Sequence, residues 1–113
     1  MLPRVNRLNK QKDFEAVFSR GKLKQDSFLL VRGLPNTYEF SRFGFIVSTR
    51  VSKKAVARNR LRRQMSEIIR INLKRIKKGF DIVLAARAKL VGVSYKEMED
   101  VLLGLLKNMN IYV

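Results

Sequence analysis

The sequence predicts an α+β fold, a compact two-layer α/β sandwich of about four strands and three helices in the order α-β-β-β-α-β-α. Two patterns carry that prediction. Short apolar runs at residues 28–31, 42–48 and 80–86 have the length and composition of strands. Longer stretches before, between and after them repeat their apolar residues at helical spacing. A length of 113 residues with 46% hydrophobic side chains then bounds the chain to a single domain, 1–113, around one modest core.

Residues 1–8 are basic and broken by Pro3, which reads as an extended arm leading into the first helix. Asn9 is a candidate N-cap for a helix from 10 to about 20, and Gly21 marks its stop. Phe14, Val17 and Phe18 share one face of that helix. Two roles fit them: core residues that hold the helix to a sheet, or rings left partly open as a stacking platform for unpaired bases. A helix lying over a sheet accommodates both. Arg7 and Lys12 are near enough in sequence to add backbone charge.

Phe28, Leu29, Leu30 and Val31 form the first clear strand, and Pro35-Asn36 opens a loop to Ser41. A further short strand falls within 22–32 or 37–42. Residues 42–48 alternate, with Phe43, Phe45 and Val47 on one side and Gly44 and Ile46 on the other. Glycine there marks a bulge or leaves room for something that passes over the sheet.

The stretch 51–78 organises the rest. It contains Arg58, Asn59, Arg60, Arg62, Arg63, Arg70, Lys74, Arg75, Lys77 and Lys78, with Glu67 its only acid. On a helix at roughly 100° per residue, Ala57, Leu61, Met65, Ile68, Ile69, Asn72, Leu73 and Ile76 form one broad stripe. Arg60, Arg63, Arg70 and Lys74 fall opposite it, with Asn59 and Lys77 at the margin. Arg58 and Arg62 sit at the border, where their stems can cover core edges while their guanidinium groups reach outward. The row suits a phosphate backbone, or it is a solvated face; the lack of compensating acids favours the first. Arg50, Lys53 and Lys54 make the preceding connection basic too, and Ser52 is a candidate cap. Residues 80–86 follow as a buried strand. The last helix, 94–107, begins with a Ser94/Glu97 capping box and turns Met98, Val101, Leu102, Leu105 and Leu106 inward.

A formal net charge of +16, from 25 basic and 9 acidic residues, calls for a polyanionic partner. RNA, DNA and an anionic membrane share that sign. Seven Phe residues argue against a disordered basic tail. With no cysteine and no histidine, disulfides, thiol chemistry, imidazole catalysis and the usual zinc sites are excluded. No stretch approaches the roughly 20 apolar residues of a membrane span, and a cytoplasmic location is the plain expectation.

A self-sufficient nuclease needs an acid/base pair or carboxylates converging on metal ions about 4 Å apart. Of the nine acids, only Glu97, Glu99 and Asp100 cluster, and first-turn placement in the last helix explains them. No catalytic residue and no metal ligand is assigned. A cationic domain without a catalyst positions a nucleic acid for chemistry done by its partner.

The chain resembles the protein subunit of bacterial ribonuclease P. The resemblance is carried by Arg7-Leu8, Asp13-Phe14 and Val17-Phe18, then by Phe43-Gly44-Phe45-Ile46-Val47-Ser48 and Ala55-Val56. It continues through Arg58-Asn59-Arg60-Leu61-Arg62-Arg63 and Asp81-Ile82-Val83 to Ala86-Arg87, nearly the whole chain. It implies a protein that binds a large catalytic RNA, which carries the active site, and precursor transfer RNA, whose 5′ leader is removed by magnesium-dependent hydrolysis. The magnesium is then held mainly by the RNA, and no obligate protein partner or membrane is expected. The resemblance places Arg7, Lys12, Phe14 and Phe18 along the single-stranded leader. It places Arg50, Lys53, Lys54, Arg58, Asn59, Arg60, Arg62, Arg63 and Arg70 toward the catalytic RNA. It also implies a left-handed β-α-β crossover through the basic helix, where general handedness rules give the opposite. Thr49-Arg50 stands where the family commonly has Lys-Lys, and Ser52 where a glycine is frequent. The alternative is a ribosome-associated or general RNA-binding protein without a role in cleavage.

Overall fold

A computed structural model describes residues 2–112. Its helices are α1 (Gln11–Arg20), α2 (Ala55–Ile71) and α3 (Tyr95–Asn108), and its strands are β1 (Lys22–Gln25), β2 (Leu29–Pro35), β3 (Arg42–Ile46) and β4 (Phe80–Ala86). The order is the expected one, and the short additional strand is β1. Its lysines, exposed at the sheet edge, discourage pairing with another chain.

The four strands form one sheet in the order β1-β2-β4-β3. β2 runs antiparallel to β4, whereas β3 runs parallel to it and is joined to it through α2. Register sets Phe43 beside Ile82 and Phe45 beside Leu84. Side chains alternate across a strand, so this fixes two faces. Leu29, Val31, Phe43, Ile82 and Leu84 pack with Leu61, Met65, Ile68 and Ile69 of α2 and Met98, Leu102 and Leu106 of α3 in the main core. The two expected layers hold that core. α1 adds a thin third layer on the opposite face, where Val17 and Leu8 enclose Val83.

Three local expectations are corrected. Asn9 does not cap α1: Lys10 holds that position without a side-chain hydrogen bond, because Leu8 is still donating its N–H to Phe43 O at 2.8 Å and the chain turns only afterwards. Ser52 does not cap α2 either; its Oγ accepts from the N–H of Lys54, the actual N-cap, at 3.2 Å. And α2 stops at Ile71, short of the apolar pattern. Asn72 Nδ2 donates back to Ile68 O at 2.8 Å, a 3-10 turn follows at Leu73–Arg75, and Ile76 pairs with Tyr112. Leu73 and Ile76 still meet the core, but Lys74 and Lys77 lie beyond the helix rather than on its cationic face. The cap of α3 is as expected, with Ser94 Oγ accepting from Glu97 N–H at 3.2 Å.

Candidate nucleic-acid interface

The N-terminal arm is tied down. Arg7 bridges Phe43 in parallel fashion, extending β3's outer edge, and Leu2, Asn6 and Leu8 are buried. Asn6 Nδ2 donates to Ser41 O at 2.8 Å. Past Phe43 the arm diverges toward α1, and a groove of about 490 Å³ opens between it and α2. Leu2, Leu8, Phe14, Phe43, Gly44 and Phe45 supply apolar walls, while Arg7, Asn9, Arg62, Arg63, Ser66 and Glu67 supply polar ones.

The ring of Phe14 lies against Gly44, where any β-carbon would collide with Phe14 Cε1 and Cζ. Glycine leaves room at this point for a ring crossing the sheet, one of the two roles open to it from sequence. The three α1 residues take separate roles. Val17 is fully buried, Phe14 is half-buried at the groove, and Phe18 is 41% exposed. The guanidinium of Arg32 lies 5.7 Å from the centroid of the Phe18 ring, and its Nη1 donates to Phe18 O at 3.3 Å. Alternation with Val31 and Gly33 is the sequence signal that puts Arg32 on the α1 face.

An ion-paired latch holds α1 to the sheet. Arg42 donates from Nε and Nη2 to the two carboxylate oxygens of Asp81, at 2.9 and 2.6 Å, and from Nη1 to Asp13 of α1 at 3.3 Å. Asn36 Nδ2 adds a bond to Asp81 at 2.8 Å. The hydrogen bonds that Arg42 donates to Asp81 raise the Arg42 pKa above its usual range, against a desolvation cost. No spacing pattern marks Arg42, Asp13 or Asp81 for this role, since their pairing joins positions far apart in the chain.

On α2 the arginines divide as their angular positions require. Arg58 and Arg62 are partly buried and anchored: Arg58 Nη1 donates to Ser52 O at 2.9 Å, Arg62 Nη1 to Val47 O at 3.4 Å, and Arg62 Nη2 to Asn59 Oδ1. Arg60 and Arg63 are exposed, as are Arg50, Lys53 and Lys54 before the helix. Arg70 donates from Nε to Glu67 Oε2 at 3.0 Å. That bond lowers the Glu67 pKa and raises that of Arg70. α2 starts with no side-chain cap and no acid in its first turn. Cations there add to the positive end of the helix dipole, an arrangement unfavourable for an isolated helix and favourable for a bound phosphate.

The groove therefore brings Arg7 and Phe14, expected on a leader strand, together with Arg62 and Arg63, expected on a catalytic RNA. Lys12 and Phe18 lie outside it along α1, and Arg50, Lys53, Lys54, Arg58, Asn59, Arg60 and Arg70 do not line it. Among the described residues no group of three or more carboxylate, imidazole or thiolate side chains could hold a metal ion. No helix among them is long and apolar enough to cross a membrane.

The family model described as Ribonuclease P matches residues 2–110. The ribonuclease P protein component of Alkaliphilus oremlandii is 42% identical over 107 residues, covering 95% of this chain and 93% of that protein. The Synechocystis protein of the same description is 42% identical over 96 residues, 84% of this chain and 77% of its own. Among solved structures, the RNase P protein from Thermotoga maritima superposes with a TM-score of 0.83 at 38% identity, covering 90% of this chain and 96% of that one. The Staphylococcus aureus RNase P protein shares the fold, with a TM-score of 0.88 at 23% identity over 96% of this chain and 98% of that one. On sequence and architecture together, the chain belongs to the ribonuclease P protein family.

Proposed function

We propose that the chain works as the protein subunit of ribonuclease P, binding the catalytic RNA and the single-stranded 5′ leader of precursor transfer RNA so that the leader is removed. The observation that carries this is the shared groove: the arm and α1 present Arg7 and Phe14 on one side, and α2 presents Arg62 and Arg63 on the other. A strand laid along α1 stacks a base on Phe18 and meets Arg7 and Lys12 through its phosphates. The exposed cations Arg50, Lys53, Lys54, Arg60 and Arg63 face the catalytic RNA, with Asn59 and the anchored Arg58 and Arg62 fixing the helix beneath them; Arg70 joins them from its pair with Glu67.

Magnesium, on this proposal, is held by the RNA and supplies the activation of water and the charge stabilisation of hydrolysis. The protein's own carboxylates do not converge as a magnesium cradle among the described residues. Its contribution is binding and orientation, which lower the entropic cost of aligning the scissile bond. The cytoplasm, where the RNA partners are made, is its proposed place of work.

Reconstitution with the catalytic RNA on substrates that differ only in leader length tests the proposal. The protein is expected to tighten binding of leader-bearing substrate much more than of mature transfer RNA. Equal enhancement of both would instead point to a general RNA-binding protein.

A further inference from the structure

A second hollow, of about 260 Å³, lies between the first turns of α2 and residues 91–93, and is lined by Ala57, Arg60, Leu61, Gln64, Val91 and Val93, with Gly92 between the last two. Its position shares no lining residue with the groove described above. Three features of it call for an occupant. Val91 in its wall is 48% exposed, and Val56, one turn before Arg60 and outside the lining, is 77% exposed, so apolar side chains stand in solvent on the cation-bearing part of the molecule. Gly92 has a φ of +83°, which favours glycine, and no heavy atom lies within 4 Å of where its Cβ would be, so the mouth is open. Among the described residues, the side chains of Arg60 and Gln64 take no hydrogen-bond partner within the protein.

Apolar walls, a planar guanidinium and an amide that both donates and accepts match a flat heteroaromatic ring with a polar edge. Lys53, Lys54, Arg60 and Arg63 are exposed on this end of α2, which carries no acid before Glu67, so the ring's carrier is anionic rather than a protein segment. We propose that this hollow receives one unstacked nucleobase of the catalytic RNA, with Gln64 bonding its edge and Arg60 stacking on it or reaching the adjoining phosphate. This rests on the proposed ribonuclease P function and adds to it a base-reading site on a helix otherwise suited to backbone contacts.

The experiment measures affinity of the full-length protein for the catalytic RNA across a salt series, together with base-edge methylation of that RNA with and without protein. Ala57→Leu fills the hollow from the helix side, and Gln64→Ala removes the edge contact without adding bulk. Each is expected to weaken binding by about tenfold, the scale of one stacked base, with an unchanged salt slope because phosphate contacts persist. One unpaired base is expected to be shielded by the native protein and to lose that shielding in both variants. Should Ala57→Leu melt early, Gln64→Ala decides. Unchanged affinity in both variants, or no base edge shielded by the native protein, overturns the base site while leaving RNA binding intact. Failure of the native protein to bind the catalytic RNA overturns both the site and the function on which it rests.

Discussion

Phe14 occupies the space that any side chain at Gly44 would need, so the first helix approaches the sheet only because position 44 lacks a β-carbon. Gly44→Ala is expected to displace the ring and cost about 1 to 3 kcal/mol by overpacking. In a Phe14→Ala background the same substitution is expected to cost far less, because the two residues compete for one space. Denaturant unfolding of the four proteins in the cycle gives the coupling; additive costs would show that the contact is not the constraint.

Phe18 and Phe14 separate stacking from packing. Phe18→Ala removes a ring that is 41% exposed and flanked by Arg32, so leader affinity is expected to fall by about 1 to 3 kcal/mol while stability falls by less than in Phe14→Ala. Phe14→Ala is expected to lower both. Leader affinity is read with the reconstituted holoenzyme and stability with the isolated protein. Loss of stability alone in Phe18→Ala would make its ring a packing residue.

The Arg42 latch predicts a large and specific loss of stability. Asp81 is buried, so Asp81→Asn removes the main counter-charge of Arg42 while Asp13 still faces it, and is expected to cost about 2 to 3 kcal/mol. Asp13→Asn, which breaks the longer and more open contact, is expected to cost no more than about 1 kcal/mol. The Arg42 pKa is raised in the folded protein, so its stabilising contribution is complete below the unfolded value and fades only as pH climbs past the folded one. Urea midpoints of Arg42-intact protein are therefore expected to show no loss traceable to Arg42 in neutral or mildly alkaline buffer. Equal costs for the two substitutions would remove Asp81 from the centre of the latch.

What the sequence revealed, it revealed through short-range pattern. The strand at Phe80–Ala86, the inward stripe of α3 and the border positions of Arg58 and Arg62 follow from spacing alone. Pattern failed where a distant contact overrides local preference. The apolar repeat runs through Ile76, yet Ile76 is drawn into a bridge with Tyr112 and the helix ends before it. Asn9 is a good cap by type, but the pairing of Leu8 with Phe43 postpones the helix. The Arg42–Asp81–Asp13 latch and the meeting of Arg7 with Arg62 depend on how α1 and the arm dock, which no residue spacing encodes. Arg32 lies beyond the apolar start of the strand at Leu29–Pro35, where only single-face alternation marks it.

Glu67 restrains the cation row at Arg70, and removing that restraint is expected to strengthen RNA binding. The carboxylate accepts from Arg70 Nε at 3.0 Å and is held ionised by that bond, its pKa lowered. A depressed carboxyl value stabilises the pair above the ordinary carboxylate range, and that contribution disappears as pH falls through the folded value. Both groups lie at the surface, so the pair matters more for RNA than for folding. Glu67→Gln leaves Arg70 in place without its counter-charge. Affinity for the catalytic RNA is expected to rise, and the salt dependence to steepen by about one phosphate contact. Arg60→Ala, which removes a cation already exposed, is expected to do the reverse by about the same increment. Adding Arg70→Ala to Glu67→Gln should cancel the gain; if it does not, the effect comes from lifting an acid out of the groove that Glu67 also lines, and Arg70 is not a contact.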